Sequence, residues 1–242
     1  MRTTLVTLAL AVLLAAPAAA ARKPVSKAPA MPAFDPKTFS DIVDNPYFPL
    51  RPGMVLVYET RSGDSTGVDT VTVTHDTKTI LGVAAIAVLD RAWRRGTLVE
   101  STTDWYAQDR KGNVWYLGEE SEELRDGKMV RAAGSWEAGR DSAQPGLIMP
   151  AVPQPGMEYR QEHRPGVAED MARVLSLTAT AKVLKDSYTA CVETEEWSPL
   201  EPKAVERKVY APGLGLVLER TIKGGDERLE MTLIKVIPPE AR

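Results

Sequence analysis

Acidic side chains are the residues of this chain with the widest range of chemistry. Asp104, Glu119, Glu137, Glu162 and Asp170 are the candidates for catalysis. Two carboxyl groups in one cleft, one of them desolvated, can act as general acid and general base. A carboxylate-dependent hydrolase therefore requires at least two of the five to converge in one pocket. Calcium bound by carboxylates from separate strands is one form of this hypothesis.

Other motifs that resemble catalytic or metal-binding sites are better explained by structural roles. Residues 63–67, GDSTG, match G-x-S-x-G, but a nucleophile elbow needs a helix after the serine, and here a strand follows at Val68. His75 and His163 are the only imidazoles, and their spacing defines no zinc site. The single cysteine, Cys191, lies in an alternating stretch and is predicted to be a small buried hydrophobe.

Aromatic residues dominate the segment from 101 to 119, STTDWYAQDRKGNVWYLGE, which predicts a β-hairpin. Its turn ends at Gly112, where a positive φ carries no steric cost. If Asp109 pairs with Asn113, three cross-strand pairs follow: Trp105 with Leu117, Tyr106 with Tyr116, and Ala107 with Trp115. One face is then Trp105, Ala107, Trp115 and Leu117, which we assign to the core. The other is Asp104, Tyr106, Gln108, Val114 and Tyr116.

The remaining pattern is that of an all-β protein. Apolar and polar residues alternate, with glycines between the runs, over residues 54–60, 68–75, 83–90, 98–105, 171–183, 188–197, 205–211, 216–222 and 228–236. Together with the second hairpin strand, these runs predict about ten mainly antiparallel strands. On size alone so many strands must curl, close or split into two sheets, and we predict a single curved meander sheet or half-open barrel.

Residues 134–167 are the exception, because they combine ten Gly and Pro residues with large apolar side chains. Connections this long are uncommon unless they are functional. Trp136 and Tyr159 make the segment too apolar for a solvated linker. Two alternatives remain open: a lid over the concave side of the sheet, or a structural plug at its open end.

The N-terminus carries the signature of export. Arg2 precedes an apolar run from Leu5 to Ala16, and small residues then allow cleavage near Ala20 or Ala21. The chain therefore divides into a signal peptide at 1–20, a Pro/Ala-rich disordered linker at 21–40 and one β domain at 41–242. No other run has the ~20 apolar residues of a transmembrane helix. We expect a periplasmic or secreted protein.

Charge argues against nucleic acid as a partner. Removal of Arg2 with the signal peptide leaves 29 of the 30 Lys and Arg residues against 33 Asp and Glu residues, a net charge of −4. The basic residues are scattered rather than grouped into a stripe with aromatic residues. The sequence also predicts no cofactor.

Several motifs resemble a group of uncharacterised exported bacterial proteins. They are DNPYFPLRPG at 44–53, DWYAQD and GNVWYLGE in the hairpin, SWEAG at 135–139 and YAPGLGLV at 210–217. The chain is similar, more loosely, to the curved sheets of periplasmic lipoprotein carriers, which hold acyl chains on a concave face. This resemblance concerns the fold and supplies no catalytic residues.

These observations favour a non-catalytic envelope protein that binds a lipid or another amphipathic or apolar small molecule. The predicted ligand-binding residues are Asp104, Tyr106, Gln108, Tyr116, Trp136 and Tyr159, and Trp105 and Trp115 are further candidate contacts. The alternatives are the carboxylate-dependent hydrolase and a structural or adhesion module. The latter would have a filled interior and a large exposed apolar patch.

Export can be tested directly by the intact mass of the secreted chain. Expression with the native N-terminus in a bacterial host should yield a product that begins at residue 21 or 22, because a signal peptidase cuts after small residues. Replacing Ala20 and Ala21 with bulky Leu should retain the uncleaved precursor. Recovery of wild-type chains that still begin at Met1 would contradict the prediction.

Overall fold

The protein is almost entirely antiparallel β-sheet in the computed structural model, which describes residues 31–224 and 229–240. One short 3₁₀ helix, Pro36–Thr38, precedes the strands. The strands are β1 Phe39–Ser40, β2 Val55–Ser62, β3 Ser65–Ile80, β4 Val83–Arg94, β5 Thr97–Asp109, β6 Val114–Arg125, β7 Lys128–Arg131, β8 Trp136–Glu137, β9 Gly146–Met149, β10 Glu158–Arg160, β11 Met171–Val183, β12 Asp186–Trp197, β13 Val205–Ala211, β14 Gly215–Lys223 and β15 Leu229–Ile237.

Two five-stranded meanders make up the sheet. β2 to β6 pair in chain order, and so do β11 to β15. The meanders join where β15 pairs with β2, so the C-terminal strand lies beside the first long strand. These ten strands are the ones that the alternating pattern predicted. The other five have two to four residues each, too few for alternation to show.

The hairpin of β5 and β6 confirms most of the predicted register. Tyr106 pairs with Tyr116 and Ala107 with Trp115, and Gly112 closes the turn with a φ of 94°. One predicted pair is wrong, because Trp105 lies opposite Gly118 and not opposite Leu117. The extra residue is a β-bulge. Gly118 has a φ of 141°, and a Cβ there would lie 2.5 Å from the backbone oxygen of Trp136, so only glycine fits.

The segment between the meanders is anchored to both edges of the sheet. β7, β8 and β9 all pair with β6, and β10 pairs with β11. The two parts of the segment also meet, since the Gln144 N–H donates to the His163 carbonyl at 2.8 Å. Gly146 fits so closely that a Cβ would lie 1.8 Å from the Gln161 carbonyl oxygen. The segment therefore extends the sheet edges and links them.

The ordered N-terminal part begins upstream of the expected boundary at residue 41. Phe39 and Ser40 pair with β5, and the Phe34 and Phe39 rings contact the buried Trp115. Aromatic packing thus fixes the second half of the expected linker. Residues 1–30, with the signal peptide, cleavage site and first half of the linker, lie outside the described residues. In the part of the chain that is described, no helix has the length and hydrophobicity to cross a bilayer.

We expect Gly146→Ala to destabilise the protein, because the new methyl group would meet the backbone of Gln161, which cannot rotate away. Overpacking of this kind costs about 1–3 kcal/mol, measurable by urea unfolding. Gly156→Ala is the control in the same segment, since nothing lies within 4 Å of its Cβ position. Its φ of 86° leaves only conformational strain. Equal stability of the two variants would contradict the proposed link between the edges.

Candidate functional site

The strand register places one set of polar residues on a single face of the sheet. Directly paired residues on neighbouring strands point to the same side. Following such pairs and i, i+2 steps from β6 round to β10 gives one continuous face: Glu119, Asp104, Thr102, Asp90, Val71, Asp69, Tyr58, Leu233, Met231, Glu219, Lys208, Thr194, Glu196, Ala172 and Tyr159. Members from both ends of this series line one cavity, so this face is the inside of the curve.

The cavity has a volume of about 320 Å³ and receives residues from both meanders and from the linking segment. This volume is at the lower end of the ~300–1,000 Å³ range of small-molecule sites. Its apolar wall contains Val167, Ala168, Trp197 and Leu200. Seven carboxylates and one ammonium group also line it: Glu100, Glu119, Glu162, Asp170, Glu196, Glu201, Glu206 and Lys208.

A tyrosine connects two of the inner carboxyl groups. The Tyr116 hydroxyl lies 2.5 Å from Asp104 Oδ1 and 2.9 Å from Glu119 Oε2. Residues three apart on a regular strand face opposite sides, so Tyr116 reaches Glu119 only because of the bulge at Gly118. The hydroxyl has one proton and can donate to only one of the two acids. The second contact is a hydrogen bond when the other acid is protonated.

Burial makes protonation of these acids favourable. Burial, followed by the charge of Glu119, raises the pKa of Asp104 well above its ordinary value. Burial also raises the pKa of Glu119 to about 7. On the linking segment, burial and the charges of Asp170 and Glu119 raise the pKa of Glu162. Trp136 opposes this last shift, because its indole N–H donates to Glu162 Oε1 at 3.2 Å.

Lys208 neutralises only part of this charge. Its ammonium group lies 3.0 Å from Glu196 and 3.7 Å from Glu219. Burial alone would lower the pKa of Lys208, but these two carboxylates raise it, so the lysine stays charged. The Tyr210 hydroxyl also donates to Glu196, at 3.1 Å. Within residues 31–224 and 229–240, no Lys or Arg forms an ion pair with Glu119 or Glu162.

The six predicted ligand-binding residues are all buried, and several support the cavity from behind. Tyr116 bonds Glu119, and Trp136 bonds Glu162 and packs edge-on against Tyr116. Tyr106 stacks on Tyr116 with ring centroids 4.7 Å apart. Gln108 has a different role, because its amide oxygen accepts from the Asp44 and Asn45 backbone N–H groups and so fixes the N-terminal lead-in.

Tyr159 differs from the other five. It is 2% exposed, and its hydroxyl has no hydrogen-bond partner among the described residues. It pairs with Ala172, which in turn pairs with Glu196, so its ring is on the same face as a residue that lines the cavity. Burial and the charge of Glu196 raise its pKa, whereas Lys208 lowers it.

Trp105 and Trp115 are buried at 7% and 1% exposure, which confirms their assignment to the core. Lys78 lies over the Trp105 ring, 3.7 Å from its centroid. The Trp115 indole N–H donates to Asp109 at 3.0 Å. Cys191 is likewise buried, as predicted.

Three of the five candidate catalytic acids converge on the cavity, and a fourth lies behind them. Glu119, Glu162 and Asp170 line it, and the Tyr116 hydroxyl links Asp104 to Glu119. Glu137 is elsewhere, in ion pairs with Lys78 at 2.7 Å and Arg140 at 2.9 Å. Sequence reasoning missed the cavity roles of Glu100, Glu206 and Lys208. Their only signal was a polar residue at an inward position of an alternating strand.

The acids are distributed round the cavity rather than gathered at one point. Among residues 31–224 and 229–240, no group of three or more His, Cys, Asp or Glu side chains has the geometry to hold a metal ion. Nothing in this geometry favours the calcium form of the hydrolase hypothesis.

Comparison with known proteins identifies neighbours in structure alone. No family model matches the chain, and no curated protein does. An exported protein with a YmcC-like fold from Bacteroides fragilis has 14% identity and a TM-score of 0.48, over 79% of this chain and 99% of that one. A lipoprotein from Parabacteroides distasonis has 11% identity and a TM-score of 0.44, over 82% and 100%. At such low similarity neither neighbour supplies a function.

We expect the inner acids to make the protein less stable as pH rises. A carboxyl group whose pKa is higher in the folded state binds its proton more tightly there, so stability is lost as pH rises from the unfolded to the folded pKa. For Glu119 this interval runs from the ordinary 4.5 to about 7. Glu219, at about 7, and Asp90, at about 8, act in the same direction.

Glu119→Gln should remove the part of this pH-dependent loss of stability that Glu119 causes. As pH rises from 4.5 to 8, the free energy of unfolding of the variant relative to that of wild type should increase by about 1–3 kcal/mol, measured by urea unfolding across that range. Glu120→Gln is the matched control, because Glu120 is the next residue, is exposed, and pairs with Arg131. Parallel pH profiles for the two variants would show that the pKa of Glu119 is the same in the folded and the unfolded state.

Proposed function

We propose that this is an exported, non-catalytic protein that binds a small amphipathic ligand in the cavity between its two meanders. The observation that carries the proposal is the cavity wall, which combines an apolar part with half-buried carboxyl groups. Two of these, Glu119 and Glu162, form no ion pair among the described residues. Partly desolvated acids without a charged partner cost stability, so they are typical of sites where a ligand provides the missing partner. Export is supported by the N-terminal sequence.

The linking segment supports the proposal because it supplies part of the cavity wall. Glu162, Val167 and Ala168 come from it, and its anchorage at both edges holds them against the sheet. The aromatic residues predicted to contact the ligand serve in this proposal as a second layer. Tyr116 and Trp136 orient the carboxylates of Glu119 and Glu162 through hydrogen bonds.

Native mass spectrometry of protein purified from its own cell envelope tests the proposal. Wild type should carry a bound small molecule, and Val167→Trp should lose it, because the indole fills the cavity that Val167 lines. The expected loss of affinity is ~10-fold or more. Val152→Trp is the control, since Val152 belongs to the same segment but is 69% exposed and does not line the cavity. An empty wild-type protein, or equal retention by both variants, would contradict it.

A carboxylate-dependent hydrolase is the second candidate, because Glu119, Glu162 and Asp170 share one cavity with at least one desolvated member. The two functions differ in what happens to the ligand. If the protein only binds, the recovered ligand keeps its mass after prolonged incubation with wild type. A mass change with wild type that is absent with Glu119→Gln and Glu162→Gln would favour the hydrolase.

A further inference from the structure

We propose that residues 162–169 are a flap over the cavity, which closes while the acids between it and the sheet hold their protons and opens when they ionise. The inference concerns access to the cavity, so it goes beyond the proposed binding function and can be tested separately from it. The flap is a short turn of chain within the linking segment. It contributes Glu162, Val167 and Ala168 to the cavity wall.

The flap is attached to the rest of the protein on one side only. Its base is fixed, because the Gln161 and Glu162 N–H groups donate to the Asp170 carbonyl at 2.8 and 3.2 Å. Beyond the base, all its hydrogen bonds and ion pairs with the rest of the described chain end on residues 135–144. They join Glu162 to Trp136, His163 to Gln144, and Arg164 to Ser135 and Asp141. An outward turn about the base therefore breaks these few bonds and no strand pairing.

Glu162 is the flap residue whose charge opposes closure. Its carboxyl group accepts from the Trp136 indole N–H at 3.2 Å, and Trp136 lies directly opposite Glu119 on the neighbouring strand. The indole thus holds Glu162 near the part of β6 that carries a second acid. The ionisable groups that act on Glu162 are all acids or phenols: Glu119 and Tyr116 of β6, Asp104 and Tyr106 of β5, and Asp170 at the base.

The nearby cations are engaged elsewhere. Lys208 lines the same cavity, but its ammonium group pairs with Glu196 and Glu219. Arg164 belongs to the flap, and its guanidinium pairs with Asp141 at 3.2 Å and donates to a backbone carbonyl. An ionised Glu162 is therefore stabilised by one neutral donor, the indole N–H, and repelled by any neighbouring acid that is also ionised.

The contacts of Tyr116 show why closure requires a proton. Its hydroxyl lies 2.5 Å from Asp104 and 2.9 Å from Glu119, and its one proton can serve only one of them. A second proton, on one of the two acids, completes both hydrogen bonds. Loss of that proton leaves two carboxylates opposite one another and beside Glu162. Burial raises the pKa of Glu119 to about 7 and raises the pKa of Glu162 as well.

The direction of the effect follows from proton linkage. In the open flap, Glu162 is in water and has the ordinary pKa of 4.5. The closed flap binds the proton more tightly, so the open form is favoured as pH rises from the ordinary pKa toward the raised one. Within that interval, each pH unit increases the ratio of open to closed protein up to about tenfold for each proton released.

Hydrogen exchange at single amides tests the flap. The Gln144 N–H donates to the His163 carbonyl at 2.8 Å, so its exchange reports separation of the flap from residues 135–144. After division by the intrinsic exchange rate, its protection should fall at least ~10-fold between pH 5 and pH 8. The Ala138 N–H donates to the Leu117 carbonyl in the strand pairing, so it is the internal control and should lose less protection.

Two results at these amides would overturn the flap. Protection at Gln144 that does not change with pH would show that ionisation leaves the flap closed. An equal loss of protection at Gln144 and Ala138 would assign the pH effect to unfolding of the whole domain.

Variants identify the group that controls the flap. Glu162→Gln cannot ionise and keeps an oxygen that accepts from Trp136, so the fall in Gln144 protection should be at least ~3-fold smaller than in wild type. Glu169→Gln is the matched control, because Glu169 bonds only to Gly166 within the flap, at 2.7 Å, and it should behave as wild type does. If Glu162→Gln fails to fold, Glu119→Gln replaces it, since it removes the opposing charge. A pH dependence that is the same in wild type and in these inner variants would overturn the proposal.

Discussion

The close approach of Gly146 to the backbone of Gln161 is the constraint on which the interior depends. It joins the part of the linking segment that pairs with β6 to the part that directly follows β10. Because these strands lie at opposite ends of the pairing order, their contact requires the sheet to curve. Only then do Glu119 of the first meander and Glu196 of the second line the same cavity. The size and the charge of the site both follow from this closure.

The site costs stability because it holds several carboxyl groups partly away from water. Asp104 and Glu119 lie directly opposite one another on neighbouring strands, an arrangement that is unfavourable when both are ionised. One of the two is therefore held protonated, and the Tyr116 hydroxyl can then donate to the ionised acid and accept from the protonated one. Elsewhere Lys208 performs a similar role for Glu196 and Glu219. The interior is therefore stabilised by a phenol at one end and an ammonium group at the other.

Local sequence patterns were sufficient for the long strands and most of the aromatic hairpin. Alternation identifies β2 to β6 and β11 to β15, and the turn at Gly112 fixes the pairing of Tyr106 with Tyr116. The bulge at Gly118 was not predictable in the same way, because it depends on contact with Trp136 from a distant strand. The cavity was harder still. Glu162 and Lys208 are far apart in sequence and line the same cavity only because the sheet curves.

The short strands at the two ends of the pairing order also affect how the protein behaves among its own copies. An edge strand exposes unpaired N–H and C=O groups that can recruit a strand from another molecule. Here β10 has three residues and β7 four, while β8 and β9 cover other parts of β6. A strand from another molecule could form hydrogen bonds with only a few consecutive backbone groups, because each edge strand ends after three or four residues. The segment that closes the interior thus also protects the sheet against edge-to-edge aggregation.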